Sequence, residues 1–178
     1  MWTKAIVNAC INPITGLLNV ENGFVAEPEL EPVVQSVIRE ALLVAEKCGV
    51  TVGSDTELFN HVKETIRSTR TNRSSMLTDV LNGRCTEIQA LNGYIVDQGR
   101  KVGISTPVNQ TLLHLILSLS KRQGLGEGSS GESLSVCKSI AEVRALRKFF
   151  GSKRIGFVCP HSLTHAHAHS RADLINWF

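Results

Sequence analysis

The first segment of the chain constrains the fold most, because it is apolar around most of its circumference and yet carries a regular line of polar side chains. Lys4, Asn8 and Asn12 recur at steps of four residues in an otherwise apolar run. On an α-helix this spacing keeps the side chains on one face, with a drift of about 40° per step and a length of roughly 12 Å. A helix that is apolar on its other sides is buried on most of them. The segment therefore predicts a central helix of a helical domain.

The polar line on this helix needs hydrogen-bonding partners. An amine and two amides that face apolar surroundings are unfavourable unless their hydrogen bonds are satisfied. A small polar ligand with hydroxyl, carbonyl and carboxylate oxygens would satisfy them. The alternative is a polar seam that is hydrogen-bonded to a neighbouring helix. The spacing alone leaves both alternatives open.

Apolar residues at spacings of three and four predict five more helices in the first 122 residues. The second is opened by Pro28 and Pro32 and ended by Lys47-Cys48-Gly49, and the third is N-capped by Asp55. The fourth begins at Ser74 or Ser75, the fifth runs from near Thr86 to Gly103, and the sixth starts at Thr106-Pro107. No alternating strand pattern interrupts these segments. The sequence predicts an all-α domain over residues 1–122.

Composition excludes several functional classes. The chain has 178 residues, of which 42% are hydrophobic, so it can bury one proper core. Its net charge of +3 is scattered, which argues against nucleic-acid binding, and no apolar run is long enough to span a membrane. The five cysteines include no Cys-x-x-Cys pair, which predicts no zinc site and a reducing compartment. With no leader visible at the start, the expected location is the cytoplasm.

Three motif blocks in a fixed order carry a family resemblance. The first is Lys4-x-x-x-Asn8-x-x-x-Asn12-Pro13-x-Thr15, followed by Asn22-Gly23. The second combines Ser74-Ser75-Met76-Leu77-x-Asp79, Gly83-Arg84-x-Thr86-Glu87-Ile88 and Asn92-Gly93-Tyr94, and the third is Gly103-Ile104-x-Thr106-Pro107-x-Asn109. Over residues 2–122 the chain resembles the C-terminal domain of ketopantoate reductase (2-dehydropantoate 2-reductase). The resemblance implies a helical bundle of the 6-phosphogluconate dehydrogenase-like type.

The same resemblance implies an activity and the residues that perform it. The activity is the NADPH-dependent reduction of ketopantoate to pantoate in pantothenate and coenzyme A biosynthesis. Lys4 would stabilise the developing oxyanion and donate the proton, since hydride transfer to a ketone builds negative charge on oxygen. Glu87 would act beside it in catalysis and contact the cofactor. The substrate would be held by Lys4, Asn8, Asn12, Asn22 and Ser75, with Asn72 a weaker candidate.

Four of these residues also have a purely structural explanation. Lys4 could be a solvated lysine near the chain terminus, and Glu87 could be favoured by the dipole of a helix that it opens. Ser75 could be an ordinary helix N-cap, and Asn22 with Gly23 could simply form a turn. The functional interpretation depends on the agreement of all three motif blocks with the family in their order and spacing.

The composition changes after residue 122. Residues 123–133 are rich in Gly and Ser and are expected to form a flexible linker. Residues 134–178 have a strand–helix–strand pattern that is similar to the start of pantothenate synthetase (pantoate–β-alanine ligase), but the nucleotide-binding motifs of that family are missing. We therefore predict a short, incomplete α/β segment without ligase activity. Its alternating histidines could share a metal, but they lack acidic or cysteine partners, and no metal site is predicted.

The dinucleotide-binding half expected of this family is not found in the sequence. No Gly-x-Gly-x-x-Gly turn follows a strand, and the glycines of the linker have neither the spacing nor the context. We therefore expect half of an active site, which is inactive as the isolated chain. One hypothesis is an enzyme component whose Rossmann domain is supplied in cis or in trans. The second is an inactive remnant that serves as a binding or dimerisation module, for example in a homodimer. A third is a hydride-transfer enzyme of the same superfamily that acts on another small keto acid.

Overall fold

A computed structural model of the protein describes residues 2–121, which form six α-helices and no strands. The helices are α1 (Trp2–Leu18), α2 (Glu31–Lys47), α3 (Asp55–Ser68), α4 (Ser75–Leu81), α5 (Tyr94–Val102) and α6 (Pro107–Ser120). Two 3-10 turns, Asn22–Ala26 and Pro28–Leu30, lie between α1 and α2, and a π-helical turn, Gln89–Gly93, leads directly into α5. The all-α prediction is confirmed for these residues. The predicted linker at 123–133 and the predicted α/β segment at 134–178 lie outside the described residues.

Helix α1 is the central element, as its apolar circumference predicts. It packs against α2, α3, α4 and α6, and its residues Ile6, Ala9 and Cys10 have no exposed surface. Side chains from all the surrounding helices complete one continuous apolar core. The polar line therefore lies on the helix that has the most neighbours.

Pro13 interrupts the hydrogen-bond ladder inside α1. Proline has no N–H group, so the carbonyl of the residue four positions earlier loses its usual helical partner. That residue is Ala9, and its carbonyl oxygen accepts a hydrogen bond from the Asn92 side chain at 3.2 Å. A break in one helix thus creates an attachment point for the π-helical turn.

The predicted helix ends are mostly confirmed. Gly49 and Gly103, which follow α2 and α5, both adopt φ of +73°, a left-handed conformation that glycine reaches without strain. Ser74 is the N-cap of α4, and its hydroxyl accepts a hydrogen bond from the Leu77 N–H. Pro107 lies in the first turn of α6.

Three boundaries differ from the sequence predictions. The N-cap of α3 is Ser54 and not Asp55, because the Ser54 hydroxyl forms a reciprocal capping box with Glu57. Pro28 starts a separate 3-10 turn, so α2 begins only at Glu31. The fifth helix begins with the π-helical turn and becomes regular only at Tyr94, so Glu87 precedes this turn and does not open an α-helix.

Candidate functional site

The polar line of α1 runs from the surface into the interior. Lys4 is exposed, Asn8 is partly buried, and Asn12 retains only 7% of its exposure. Within residues 2–121, the side chains of Lys4 and Asn8 form no hydrogen bond or ion pair. The alternative of a fully hydrogen-bonded polar seam therefore does not describe the outer part of the line.

The inner end of the line meets the start of α4. The Asn12 Nδ2 atom lies 3.5 Å from the Ser75 Oγ atom, which is at the limit of hydrogen bonding and leaves most of the capacity of both groups unused. Ser75 is exposed and is the first residue of α4. The N-cap is its neighbour Ser74, so the structural explanation offered for Ser75 does not apply.

Two buried hydroxyl groups hold α4 in this position. Thr15 Oγ1 lies 2.7 Å from Ser74 Oγ, and it also lies within hydrogen-bonding distance of the Ile11 and Asn12 carbonyl oxygens, at 3.1 and 3.0 Å. Since Ser74 also caps α4, this contact joins the start of α4 to the turn of α1 that carries Asn12.

Asn22 lies in the 3-10 turn after α1 and faces the segment between α3 and α4. Its Nδ2 atom donates to Thr69 Oγ1 at 3.0 Å, and its backbone N–H donates to the Asn72 carbonyl at 2.9 Å. Its Oδ1 atom is buried and has no partner within residues 2–121. A buried amide oxygen without a partner is costly, which favours a ligand or water at this point.

Gly23 has a packing role that the turn interpretation did not include. A Cβ atom at this position would lie 2.9 Å from the Arg70 carbonyl oxygen, closer than real contacts of this kind allow. The Gly23 N–H also donates to that oxygen at 2.9 Å. The glycine therefore permits the close approach that fixes the Asn22 turn against the end of α3.

Glu87 lies at the entrance to the π-helical turn and is partly buried. Its carbonyl oxygen accepts hydrogen bonds from the Ala90 and Leu91 N–H groups, so its backbone is part of the turn. The turn rests on α1 through the Asn92 side chain, and at the start of α5 the Tyr94 ring lies 5.6 Å from the Trp2 ring. The segment carrying Glu87 is thus attached to α1 on both sides of Lys4.

Comparison with known proteins gives the family. The profile described as ketopantoate reductase PanE/ApbA C terminal matches residues 1–120. The chain belongs to the ketopantoate reductase family. It is 41% identical over 117 residues to the 2-dehydropantoate 2-reductase of Archaeoglobus fulgidus, an alignment that covers 65% of this chain and 38% of the relative.

Solved structures show the same helical fold. A PanE/ApbA family ketopantoate reductase from Ralstonia eutropha aligns with a TM-score of 0.65 at 28% identity, over 69% of this chain and 41% of that one. D-mandelate dehydrogenase in a ternary structure with NADH and anilino(oxo)acetate aligns with a TM-score of 0.66 at 24% identity, again over 69% of this chain and 41% of that one. The second likeness shows the fold alone. The chain spans about two fifths of the length of these relatives.

The structure brings some of the predicted residues of this ketopantoate reductase domain into contact. Asn12 meets Ser75, and the Asn22 turn is bonded to the segment that leads into α4. Glu87 directly precedes the segment that leads into the π-helical turn, and this turn packs on the helix that carries Lys4. That the side chains of the site converge on one concave surface stays a prediction, and it concerns Lys4, Asn8, Asn12, Ser75 and Glu87.

Sequence reasoning assigned no role to several buried polar residues of the domain. They are Thr15, Glu40, Asn92 and Asn109, each at most 8% exposed. All but Glu40 stand in the motif blocks, which was a usable signal. For Glu40 the sequence signal was weaker. Glu40 lies between Val37 and Val44 on the apolar face of α2, where a carboxylate is not expected to be solvated.

Cys10 and the potential metal ligands add no further chemistry to the described part of the domain. Cys10 has no exposed surface, and burial raises the pKa of its thiol far above the ordinary value, so it packs as a small hydrophobic residue. No group of three His, Cys, Asp or Glu side chains between residues 2 and 121 could hold a metal ion. Over the same residues, no helix is long and apolar enough to cross a membrane.

Proposed function

We propose that this chain supplies the substrate-binding and catalytic surface of an NADPH-dependent 2-dehydropantoate 2-reductase. One observation carries the proposal: the outer residues of the polar line, Lys4 and Asn8, have no protein partners among residues 2–121. A line of donors on a central helix suits a small substrate that bears a keto group, a hydroxyl and a carboxylate. Ketopantoate, the substrate implied by the family, has these groups.

The proposed chemistry assigns the central role to Lys4. NADPH, when bound, would supply a hydride to the keto carbon and be left as NADP⁺, and the negative charge that develops on the keto oxygen would be neutralised by a proton to give pantoate. The Lys4 ammonium stabilises that negative charge and supplies the proton. Its position at the exposed end of the line leaves it accessible to both substrate and cofactor.

The other site residues bind and orient the substrate. Asn8 and Asn12 offer amides that donate and accept, and the Ser75 hydroxyl lies beside Asn12. Asn22 contributes the buried oxygen that has no partner within the described residues. Glu87 is proposed for catalysis and for contact with the nicotinamide end of the cofactor, because its turn packs on the half of α1 that carries Lys4.

NADPH would be held mainly by a Rossmann domain outside this sequence. Residues 2–121 are helical, and the printed sequence contains no Gly-x-Gly-x-x-Gly turn after a strand. The proposal therefore includes a dinucleotide-binding domain in the same polypeptide or in a partner chain. The predicted cytoplasmic location is part of this proposal.

Two measurements test the proposal. The first is calorimetric titration of the 178-residue chain with ketopantoate and with pantoate, using Asn8→Leu as the site variant. The second adds the separately expressed N-terminal part of the Archaeoglobus fulgidus relative and follows ketopantoate-dependent NADPH oxidation. Binding that Asn8→Leu abolishes supports the site, and restored oxidation supports the enzyme component. An absence of binding by the wild-type chain contradicts the proposal.

A binding or dimerisation module is the second candidate. The observation in its favour is that Leu18, Phe24, Leu43, Leu81 and Leu115 are each about half exposed. Such apolar side chains are available for another protein surface, either a second domain or a second copy of the chain. A concentration-dependent dimer in analytical ultracentrifugation, together with no affinity for ketopantoate, would favour this candidate.

A further inference from the structure

A buried chain of polar groups crosses the domain behind the proposed site. It consists of the Glu40 carboxylate on α2, the Asn109 amide on α6, the Asn92 amide in the π-helical turn and the Ala9 carbonyl on α1, and we call it the Asn92 relay. Asn92 and Asn109 are fully buried and Glu40 is 8% exposed. The relay joins four different elements through side chains, whereas the contacts around it are apolar.

The direction of each hydrogen bond in the relay is fixed by chemistry. The Glu40 carboxylate accepts from the Val108 and Asn109 N–H groups at 2.8 and 2.9 Å, and from Asn109 Nδ2 at 2.7 Å. A carboxylate only accepts, so Asn109 must present its nitrogen to Glu40 and its oxygen to Asn92. Asn92 Nδ2 donates to that oxygen at 3.0 Å.

The far end of the relay is the carbonyl that Pro13 leaves without a helical partner. The second hydrogen of Asn92 Nδ2 reaches the Ala9 oxygen at 3.2 Å. Ala9 directly follows Asn8, and Glu87 stands two residues before the π-helical turn that carries Asn92. The relay therefore connects the backbone behind the polar line to the segment that carries Glu87.

The relay is a poor way to gain stability. Asn92 Oδ1 is buried and has no partner within residues 2–121, which is unfavourable in a core. A leucine of similar size would pack there without this cost, but it would not fix the angle or register of the turn. Directional polar groups in a core specify one arrangement among several that apolar packing would allow.

We propose that Asn92 is a positioning residue whose amide is oriented by Glu40 through Asn109. Asn92 fixes the π-helical turn on α1, and it thereby sets the position of the preceding Glu87 relative to Lys4 and Asn8. The expected effect of Asn92 on ketopantoate binding rests on the proposed function. The geometric part of the inference, that the relay fixes the turn, does not depend on any ligand.

The experiment compares Asn92→Leu with wild type in the 178-residue chain. Amide exchange at Ala90, Leu91 and Gly93 reports the turn, and calorimetric titration with ketopantoate reports the site. We expect turn amides to exchange at least about tenfold faster relative to those of α3, and ketopantoate to bind about tenfold more weakly. Val44→Ala is the matched control, because it truncates a fully buried side chain on the same helix as Glu40 and removes none of the hydrogen bonds of the relay.

A pair of exchanged groups separates positioning from packing. Glu40→Gln places an amide nitrogen against N–H donors, and Asn109→Asp places a second carboxylate against Glu40. In the double variant the side chain at position 109 is a carboxylate that can accept from Asn92 and from the amide at position 40, although one of the backbone N–H groups of residues 108 and 109 still faces the amide nitrogen. We expect each single variant to loosen the turn, and the double variant to recover part of the protection that Asn109→Asp loses, as coupled residues do.

The outcomes separate the inference from the proposed function. If the wild-type chain does not bind ketopantoate but Asn92→Leu still loosens the turn, the proposed function fails and the positioning by the relay stands. If turn amides in Asn92→Leu change no more than those of α3, the positioning role is wrong. If the turn loosens while ketopantoate affinity stays at the wild-type value, the role of the relay in substrate binding is wrong.

Discussion

At the scale of single residues, Lys4 is the most direct test of the chemistry. In the enzyme completed with a Rossmann domain, Lys4→Ala should lower turnover by at least about 100-fold, because the proton and the oxyanion stabilisation are lost together. The KM for ketopantoate should rise much less, since the ammonium acts chiefly on the developing alkoxide. Steady-state kinetics measure both quantities. An unchanged turnover number would remove Lys4 from the mechanism, and exposed Lys101, on α5, gives a control substitution that should be silent.

Cys10 gives a residue-scale prediction about pH. Burial raises the pKa of its thiol, so the native state keeps the neutral form while the unfolded chain ionises at about pH 8.5. The resulting stability is fully present below that pH and declines as the pH rises toward the native pKa, by about 1.4 kcal/mol per unit. Urea unfolding between pH 8 and 10 should show this decline. In Cys10→Ala the decline should be shallower, and an identical slope in both proteins would contradict the assignment.

At the scale of elements, two serine caps form a matched pair. Ser54 caps α3 and Ser74 caps α4, but only Ser74 also contacts Thr15 on α1. Ser54→Ala should cost about 1 kcal/mol as a lost cap, and Ser74→Ala about 2 kcal/mol, because the buried Thr15 hydroxyl also loses a partner. Chemical denaturation measures the two losses.

Ligand affinity separates the two caps further. Ser74→Ala should weaken ketopantoate binding several-fold, because α4 carries Ser75 and loses its link to the turn of α1 that holds Asn12. Ser54→Ala should leave the affinity unchanged. Equal affinities in the two variants would show that the Thr15–Ser74 contact does not position the site.

At the scale of the whole molecule, binding and redox activity should separate. The 178-residue chain by itself should bind ketopantoate but show no ketopantoate-dependent oxidation of NADPH, since it has no dinucleotide-binding fold among its described residues. A spectrophotometric assay that follows the absorbance of reduced nicotinamide measures the oxidation of NADPH. Measurable turnover by the purified chain would contradict the proposed division of labour between two domains.

The sequence by itself determined the helical class, most helix ends and the family. Apolar spacing, prolines and terminal glycines act over a few residues, so the α1 segment and the stops at Gly49 and Gly103 could be predicted locally. The motif blocks then named the candidate site residues. Where local signals competed, as between Ser54 and Asp55 for one cap, the prediction was wrong by one residue.

The tertiary structure alone decided which polar groups meet. The contact between Asn12 and Ser75 joins residues 63 positions apart, and the Glu40 contact with Asn109 joins residues 69 apart. No spacing rule reaches over such distances, because these pairings depend on how several helices pack around α1. The unusual π-helical turn follows from the same packing: its Asn92 bonds to a carbonyl on α1 that Pro13 had left free.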